Sequence, residues 1–154
     1  MERIALITVC AVLGLGVAIQ AVPYDRRHTN PPVAAEPEWD TPRTRTLAVR
    51  ACFDCHSNET VWPWYSNVAP ISWLIQRDVA EGRRAVNFSE WNRPQKEARE
   101  SAKAVRKGEM PPWIYTLRSS SARLSAAEKD ALAGGLAAML GEGRKDHRPS
   151  REER

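Results

Sequence analysis

The sequence predicts an all-α fold, and three observations carry that expectation. Apolar residues recur at helical spacing, as in Ile71, Leu74, Ile75 and Val79. Helix-start signals stand ahead of such stretches: Pro42 behind Thr41, Pro70, and Ser125 with Glu128 three residues on. No stretch shows convincing strand character. A chain of 154 residues has room for one domain with short appendages.

In chain order, residues 1–22 come first. Ile4 to Val22 is almost wholly apolar, interrupted only by Thr8, Gln20 and small glycines. As a helix it spans roughly 28 Å, close to the ~30 Å hydrocarbon core of a bilayer. A signal peptide has a shorter apolar region of about 7–15 residues, and Ile19-Gln20-Ala21 is a mediocre cleavage site. A retained membrane helix is therefore the favoured reading and a cleaved signal the alternative; on both, the rest of the chain is exported. The flanking charges do not set orientation, because Glu2 balances Arg3 while Arg26 and Arg27 follow the span. Cys10, inside the apolar run, reads as a small membrane-facing hydrophobe.

Residues 23–41 read as a Pro-rich linker, since Asn30-Pro31-Pro32 and Glu36-Pro37 exclude helix. Fully extended at about 3.1 Å per residue, it would hold a domain roughly 60 Å from the bilayer. The packed domain is expected over residues 42–141. A first helix starts at Pro42 and runs to about Phe53. A second opens at Pro70 with Ile71, Leu74, Ile75 and Val79 inward, and a third at Asn92 or Arg93 with Ala98, Ala102 and Val105 inward. The fourth begins at Ser125 and carries Leu132, Leu136, Met139 and Leu140 as its core stripe. Gly134 and Gly135 each cost about 1 kcal/mol against alanine there, which predicts a close approach by another backbone, with Ala48 and Ala51 as expected partners. Residues 142–154 mix both charges without apolar periodicity and read as a charged, disordered tail.

Composition narrows the chemistry. The net charge of +4 is spread out, and no Lys/Arg cluster interleaved with aromatics offers a nucleic-acid surface. Three cysteines are too few for a disulfide scaffold. Two of them stand in Cys52-Phe53-Asp54-Cys55-His56, the C-x-x-C-H pattern of covalent c-type haem attachment. Thiols three positions apart on a helical turn reach the two vinyl groups on one porphyrin edge, and the next residue offers an imidazole to the iron. A redox disulfide would want a βαβ setting. A zinc site would want four ligands, and the other histidines, His28 and His147, lie outside the core. The expectation is one covalently attached haem c, bound through Cys52 and Cys55 with His56 on the iron.

Candidates for the opposite axial position are few. His28 lies in the linker, His147 in the tail, Met139 on a core stripe and Met1 at the far end of the anchor. Met110 remains, in Gly108-Glu109-Met110-Pro111-Pro112-Trp113, where the two prolines exclude helix. The alternative is that Met110 merely fills a core gap. Six tryptophans are many for this length. Trp62, Trp64, Trp73 and Trp113, with Tyr65 and Tyr115, are expected to wall the porphyrin and raise its reduction potential. The carbonyl of Pro63 or Pro70 is expected to accept the His56 Nδ1 proton.

Longer segments match as well. They are Cys55-His56-Ser57-Asn58-Glu59-Thr60-Val61-Trp62-Pro63-Trp64-Tyr65-Ser66-Asn67-Val68-Ala69-Pro70, Ser72-Trp73, Asp78-Val79-Ala80-Glu81-Gly82-Arg83, Asn87-Phe88-Ser89-Glu90-Trp91, Gly108-Glu109-Met110-Pro111-Pro112 and Leu124-Ser125-Ala126-Ala127-Glu128. With these the chain resembles the bacterial haem-binding domain family of exported, cytochrome c-like proteins, over about Gln20 to Leu140. The resemblance implies a cytochrome c-type fold with Cys52, Cys55 and His56 on one side of the haem and Met110 on the other. Members often carry a histidine after the Met-Pro-Pro loop, where this chain has Ser119 to Ser121.

With both axial positions filled, the iron has no site for a substrate. Electron transfer on the periplasmic side of the cytoplasmic membrane is then the expected role, with redox proteins or membrane complexes as partners and no enzyme activity. The alternatives are a haem sensor or peroxidase-like protein with a displaceable sixth ligand, and a haem subunit of a larger membrane redox complex.

Overall fold

The computed structural model describes residues 1–22 and 28–140. Helix α1 (Glu2–Ala18) continues into a 3-10 turn at Ile19–Ala21. Together they make a 20-residue rod of mean hydropathy 2.3, long and apolar enough to cross a membrane or to act as a signal sequence. None of its residues is buried.

The remaining helices are α2 (Pro42–Ala51), α3 (Phe53–His56), α4 (Ile71–Ala85), α5 (Ala98–Lys107), α6 (Trp113–Arg118) and α7 (Ala126–Met139). The all-α expectation holds: the one β-bridge among the described residues is a single pair, Ala35 with Glu90. Helix α2 starts as read, with Thr41 Oγ1 accepting from the Thr44 N–H at 3.2 Å. It stops at Ala51 rather than near Phe53, because Cys52 leaves helical geometry (φ −123°, ψ −35°) before the chain restarts as α3. Helix α7 carries the expected capping box, Ser125 and Glu128 each accepting from the other's backbone N–H. Helix α5 starts at Ala98, later than expected, because the chain first turns so that the Glu97 N–H donates to the Ala85 carbonyl. Its inward residues are still Ala98, Ala102 and Val105. Helix α6 departs from the sequence expectation: the two prolines exclude helix only up to Pro112, which is itself the N-cap.

The core joins Leu47, Ala48 and Ala51 of α2 to Phe53, Val86, Phe88, the inner face of α5, and Leu132, Ala133 and Leu136 of α7. Phe88 stacks on Phe53 and on Trp91, each pair with ring centres 5.8 Å apart. Met139 and Leu140 pack half-buried against this core. Gly135 is a true close approach, for a Cβ there would run into the Thr44 side chain of α2. The partner is thus Thr44 rather than Ala48 or Ala51, while Gly134 faces open space. On α4 the expected inward face is only partly used. Val79 is buried and Ile75 half-buried, but Ile71 and Leu74 are 47% and 55% exposed.

The stretch expected as a linker is extended, but over residues 28–41 it is not a free spacer. The Ala34 and Ala35 N–H groups donate to the Ser89 carbonyl, and the Trp91 N–H donates to Ala35. Asn30 Nδ2 donates to the Thr60 carbonyl at 2.9 Å. Trp39 packs against the core and Arg45 grips Glu36 with two nitrogens. Extended backbone with donors facing a folded domain pairs with it rather than with water, so the ~60 Å reach of a free spacer does not apply. The expected tail, residues 142–154, lies outside the described residues.

Candidate functional site

Helix α3 is a single turn, and it sets three side chains of the C-x-x-C-H motif. The Cys55 and His56 N–H groups both donate to the Cys52 carbonyl, at 3.1 and 2.9 Å. Ser57 then locks the turn's exit, its hydroxyl donating to the Phe53 carbonyl and accepting from the Glu59 N–H.

The His56 ring is oriented by a residue far along the chain. Its Nδ1 lies 3.1 Å from the Val86 carbonyl, and a carbonyl can only accept, so Nδ1 carries the proton. Burial pushes the ring's pKa down, against the opposing pull of the backbone carbonyls. Burial favours the neutral ring and the Val86 carbonyl favours the Nδ1–H tautomer, the form that binds metals through Nε2.

Val86 is held by a buried polar weave between the motif's exit and the end of α4. The Phe88 N–H donates to the His56 carbonyl at 2.8 Å. Asn87 Nδ2 donates to Asn58 Oδ1, the Ser89 N–H donates to Asn87 Oδ1, and the Asn58 N–H donates to Ser89 Oγ. Arg83 adds bonds from Nε to the Ser57 carbonyl and from Nη2 to Thr60 Oγ1. Gly82 lets α4 lie directly on the motif, since a Cβ there would run into the Cys55 carbonyl.

His56 opens into a cleft bounded by the end of α2, α3, the end of α4, α5 and α7. It holds about 570 Å³ of space, counting its open mouth. Ala51, Cys52, Ala85, Val86, Phe88, Ala104, Val105 and Leu136 form its apolar lining, and Glu97, Glu100 and Ser101 its polar part. Met110 lines the same cleft and is 37% exposed. It arrives there because α5 ends at Gly108 in the left-handed region (φ 73°). The chain then doubles back, with the Glu109 and Met110 N–H groups donating to the Ala104 carbonyl.

Cys52 and Cys55 are free thiols. Burial pushes them up to about 12 and about 11, helped at Cys52 by Cys55 and at Cys55 by Asp78 and Asp54. Cys52 joins the cleft lining; Cys55, on the same turn, sits under α4. The structure thus brings Cys52, His56 and Met110 together, with Cys55 alongside.

None of Trp62, Trp64, Trp73, Trp113 or Tyr115 is among the residues that line this cleft. Trp62 stacks on His28 at 4.4 Å and donates to Asn30 Oδ1, fastening the extended segment. Trp64 and Trp113 are 79% and 72% exposed, and Trp73 is half-buried on α4. The Tyr115 hydroxyl donates to Asp54 Oδ2 at 2.7 Å, tying α6 to the motif turn. Three alanines, Ala51, Ala85 and Ala104, are among the residues that do line it, and their small side chains leave room. The proline carbonyls are likewise engaged elsewhere. Pro63 accepts from Ser66, and Pro70 accepts from the Trp73 N–H.

A neutral imidazole with a free nitrogen, a thioether in the same apolar cleft and two reduced thiols beside them are a donor set that fits haem. On fold and site, this is a small all-α haem-binding protein. The chain belongs to the haem-binding domain family, whose family model matches residues 14–138. Neither the curated proteins nor the solved structures gave a match to it.

Proposed function

We propose that the chain is a monohaem c-type cytochrome that passes electrons on the outer face of the cytoplasmic membrane. The observation that carries this reading is the placement of His56 and Met110 in one cleft, with Cys52 in its lining. Cys52 and Cys55 would hold the porphyrin as thioethers, and His56 Nε2 and Met110 Sδ its iron. When bound, this group supplies one-electron chemistry at iron. The chain's own residues do the rest. The Val86 carbonyl fixes the imidazole's tautomer and ring plane. The apolar part of the lining would keep water from the inner face of the bound group. The turn after Gly108 presents the Met110 thioether.

Helix α1 supports an anchored carrier, and attachment to C-x-x-C-H outside the cytoplasm supports the periplasmic side. Partners would be redox proteins, membrane complexes among them.

The test uses protein exported together with cytochrome maturation machinery. Haem should stay with the chain through acid–acetone extraction, and the double variant Cys52→Ala, Cys55→Ala should release it. The oxidised protein should show the weak long-wavelength band of a sulfur–iron bond, lost in Met110→Ala. The ferrous protein should bind carbon monoxide only in that variant. Carbon monoxide binding to the unaltered protein would favour a sensor or peroxidase-like role, and freely extractable haem would end the c-type reading.

A further inference from the structure

The end of α1 is tied to one place on the domain. Gln20 Nε2 donates to the Ala69 carbonyl, and Gln20 Oε1 accepts from the Ala69 N–H, both at 3.0 Å. Paired donor and acceptor bonds between one side chain and one backbone unit fix position as well as distance. Ala69 itself is buried, but the surface around it in sequence is apolar and open. Trp64 is 79%, Val68 40%, Ile71 47% and Leu74 55% exposed.

These four residues lie outside the lining of the cleft, so they are not part of the site already described. They also fall in a segment, Thr60 to Gln76, that holds no Asp, Glu, Lys or Arg in a chain that is 27% charged. A solvated surface of this chain would be expected to carry charge within so long a stretch. An uncharged, apolar surface with an exposed tryptophan, at the water-side end of a spanning helix, matches the composition of the membrane interface.

We propose that Trp64, Val68, Ile71 and Leu74 rest in the lipid headgroup region beside α1, so that the domain lies flat on the bilayer. This rests on the reading of α1 as a retained membrane span. Gln20 sets the height, for its own turn is the last of the apolar rod. The hydrogen-bonded Ala69 and its apolar neighbours must then lie at the level where the helix leaves the hydrocarbon.

The experiment uses the full, haem-loaded chain in vesicles of phosphatidylcholine and phosphatidylglycerol, with Cys10→Ser so that only an introduced cysteine takes a nitroxide label. Labels go in turn on Trp64→Cys, Ile71→Cys and Leu74→Cys, with Val12→Cys in α1 and Lys103→Cys on the exposed face of α5 as references. Haem absorbance checks that each variant is folded. Oxygen concentrates in lipid and a nickel chelate in water. The ratio of their accessibilities should therefore be severalfold higher at 64, 71 and 74 than at 103. If these three match position 103 while position 12 reads as lipid, the docking proposal falls and the span stands. If they are shielded from both reagents, a protein covers the face, a second copy if the spectra also broaden through spin coupling, and the proposal falls. If position 12 itself reads as water, the span falls and the proposal with it.

Discussion

At the residue scale, the site depends on groups whose chemistry is in the side chain and on one whose chemistry is not. Cys52, Cys55, His56 and Met110 are legible in sequence because thiols, imidazole and thioether are rare and their functions few. The Val86 carbonyl is not legible, because every residue has a carbonyl and this one is thirty positions from the ring it orients. Asn58, Asn87 and Ser89 fall within the segments that carry the family resemblance, but nothing local says that they bond to one another. Their importance leads to a prediction. Asn87→Ala would strip a hydrogen bond from Asn58 Oδ1 and one from the Ser89 N–H, both buried. Each unsatisfied group costs about 1–3 kcal/mol, and 1 kcal/mol moves the midpoint by about 4–8 °C in a domain of this size. Thermal melts of the haem-loaded variant should therefore fall by more than that interval. Proton NMR should also show the His56 Nδ1–H exchanging faster with water, since Phe88 and Val86 lose their brace. An unchanged melting point would mean the weave is not what holds this segment.

At the element scale, caps were the most dependable signals and packing faces the least. Thr41 and Ser125 start their helices as read, because capping is a transaction between a side chain and a backbone only a few residues away. Helix α4 departs from its pattern, because periodicity says that a face is apolar but not what it faces. Ile71 and Leu74 obey the period and still look outward. Helix α7 offers a pH test. Glu128 accepts from the Ser125 N–H in its cap and from Arg50 Nη1 at 2.6 Å, and Arg50 in turn holds the Ser121 and Arg123 carbonyls. The Arg50 guanidinium, with the cap N–H, holds the Glu128 carboxyl at about 2, below the ordinary carboxylate range. A folded-state pKa below the unfolded one means stability present above about pH 4.3 and lost as pH falls towards 2. Glu128→Gln should therefore melt earlier than the unaltered protein at pH 6, and the two curves should converge near pH 2. A gap that persists there would assign the effect to packing instead of charge.

At the scale of the whole molecule, the extended segment belongs to the domain it was expected merely to carry. Arg83 does much of this fastening, reaching the Thr29 carbonyl and Asn30 Oδ1 at 2.9 and 3.0 Å while also holding Ser57 and Thr60. Proline content announced that residues 28–41 would be extended. It could not announce whether their hydrogen-bonding groups would meet water or the Ser89–Trp91 segment, which is fixed only once α4 has turned back. Arg83→Ala should raise amide exchange across Ala34 and Ala35 well above the unaltered protein while leaving the inner face of α7 protected. Equal exchange in both proteins would show that the Ala35–Glu90 bridge holds without its help.

That fastening also decides how such a protein would look for company. A domain on a free nineteen-residue tether sweeps a hemisphere, and its encounters follow concentrations per unit volume. A domain held to the end of α1 through Gln20, with α1 in a bilayer, travels only as fast as its own helix drifts sideways. Its searches become two-dimensional, in a layer one domain thick. Partners embedded in the same sheet then gain effective concentration over anything diffusing above it, and what sets the traffic is the crowding of the membrane plane.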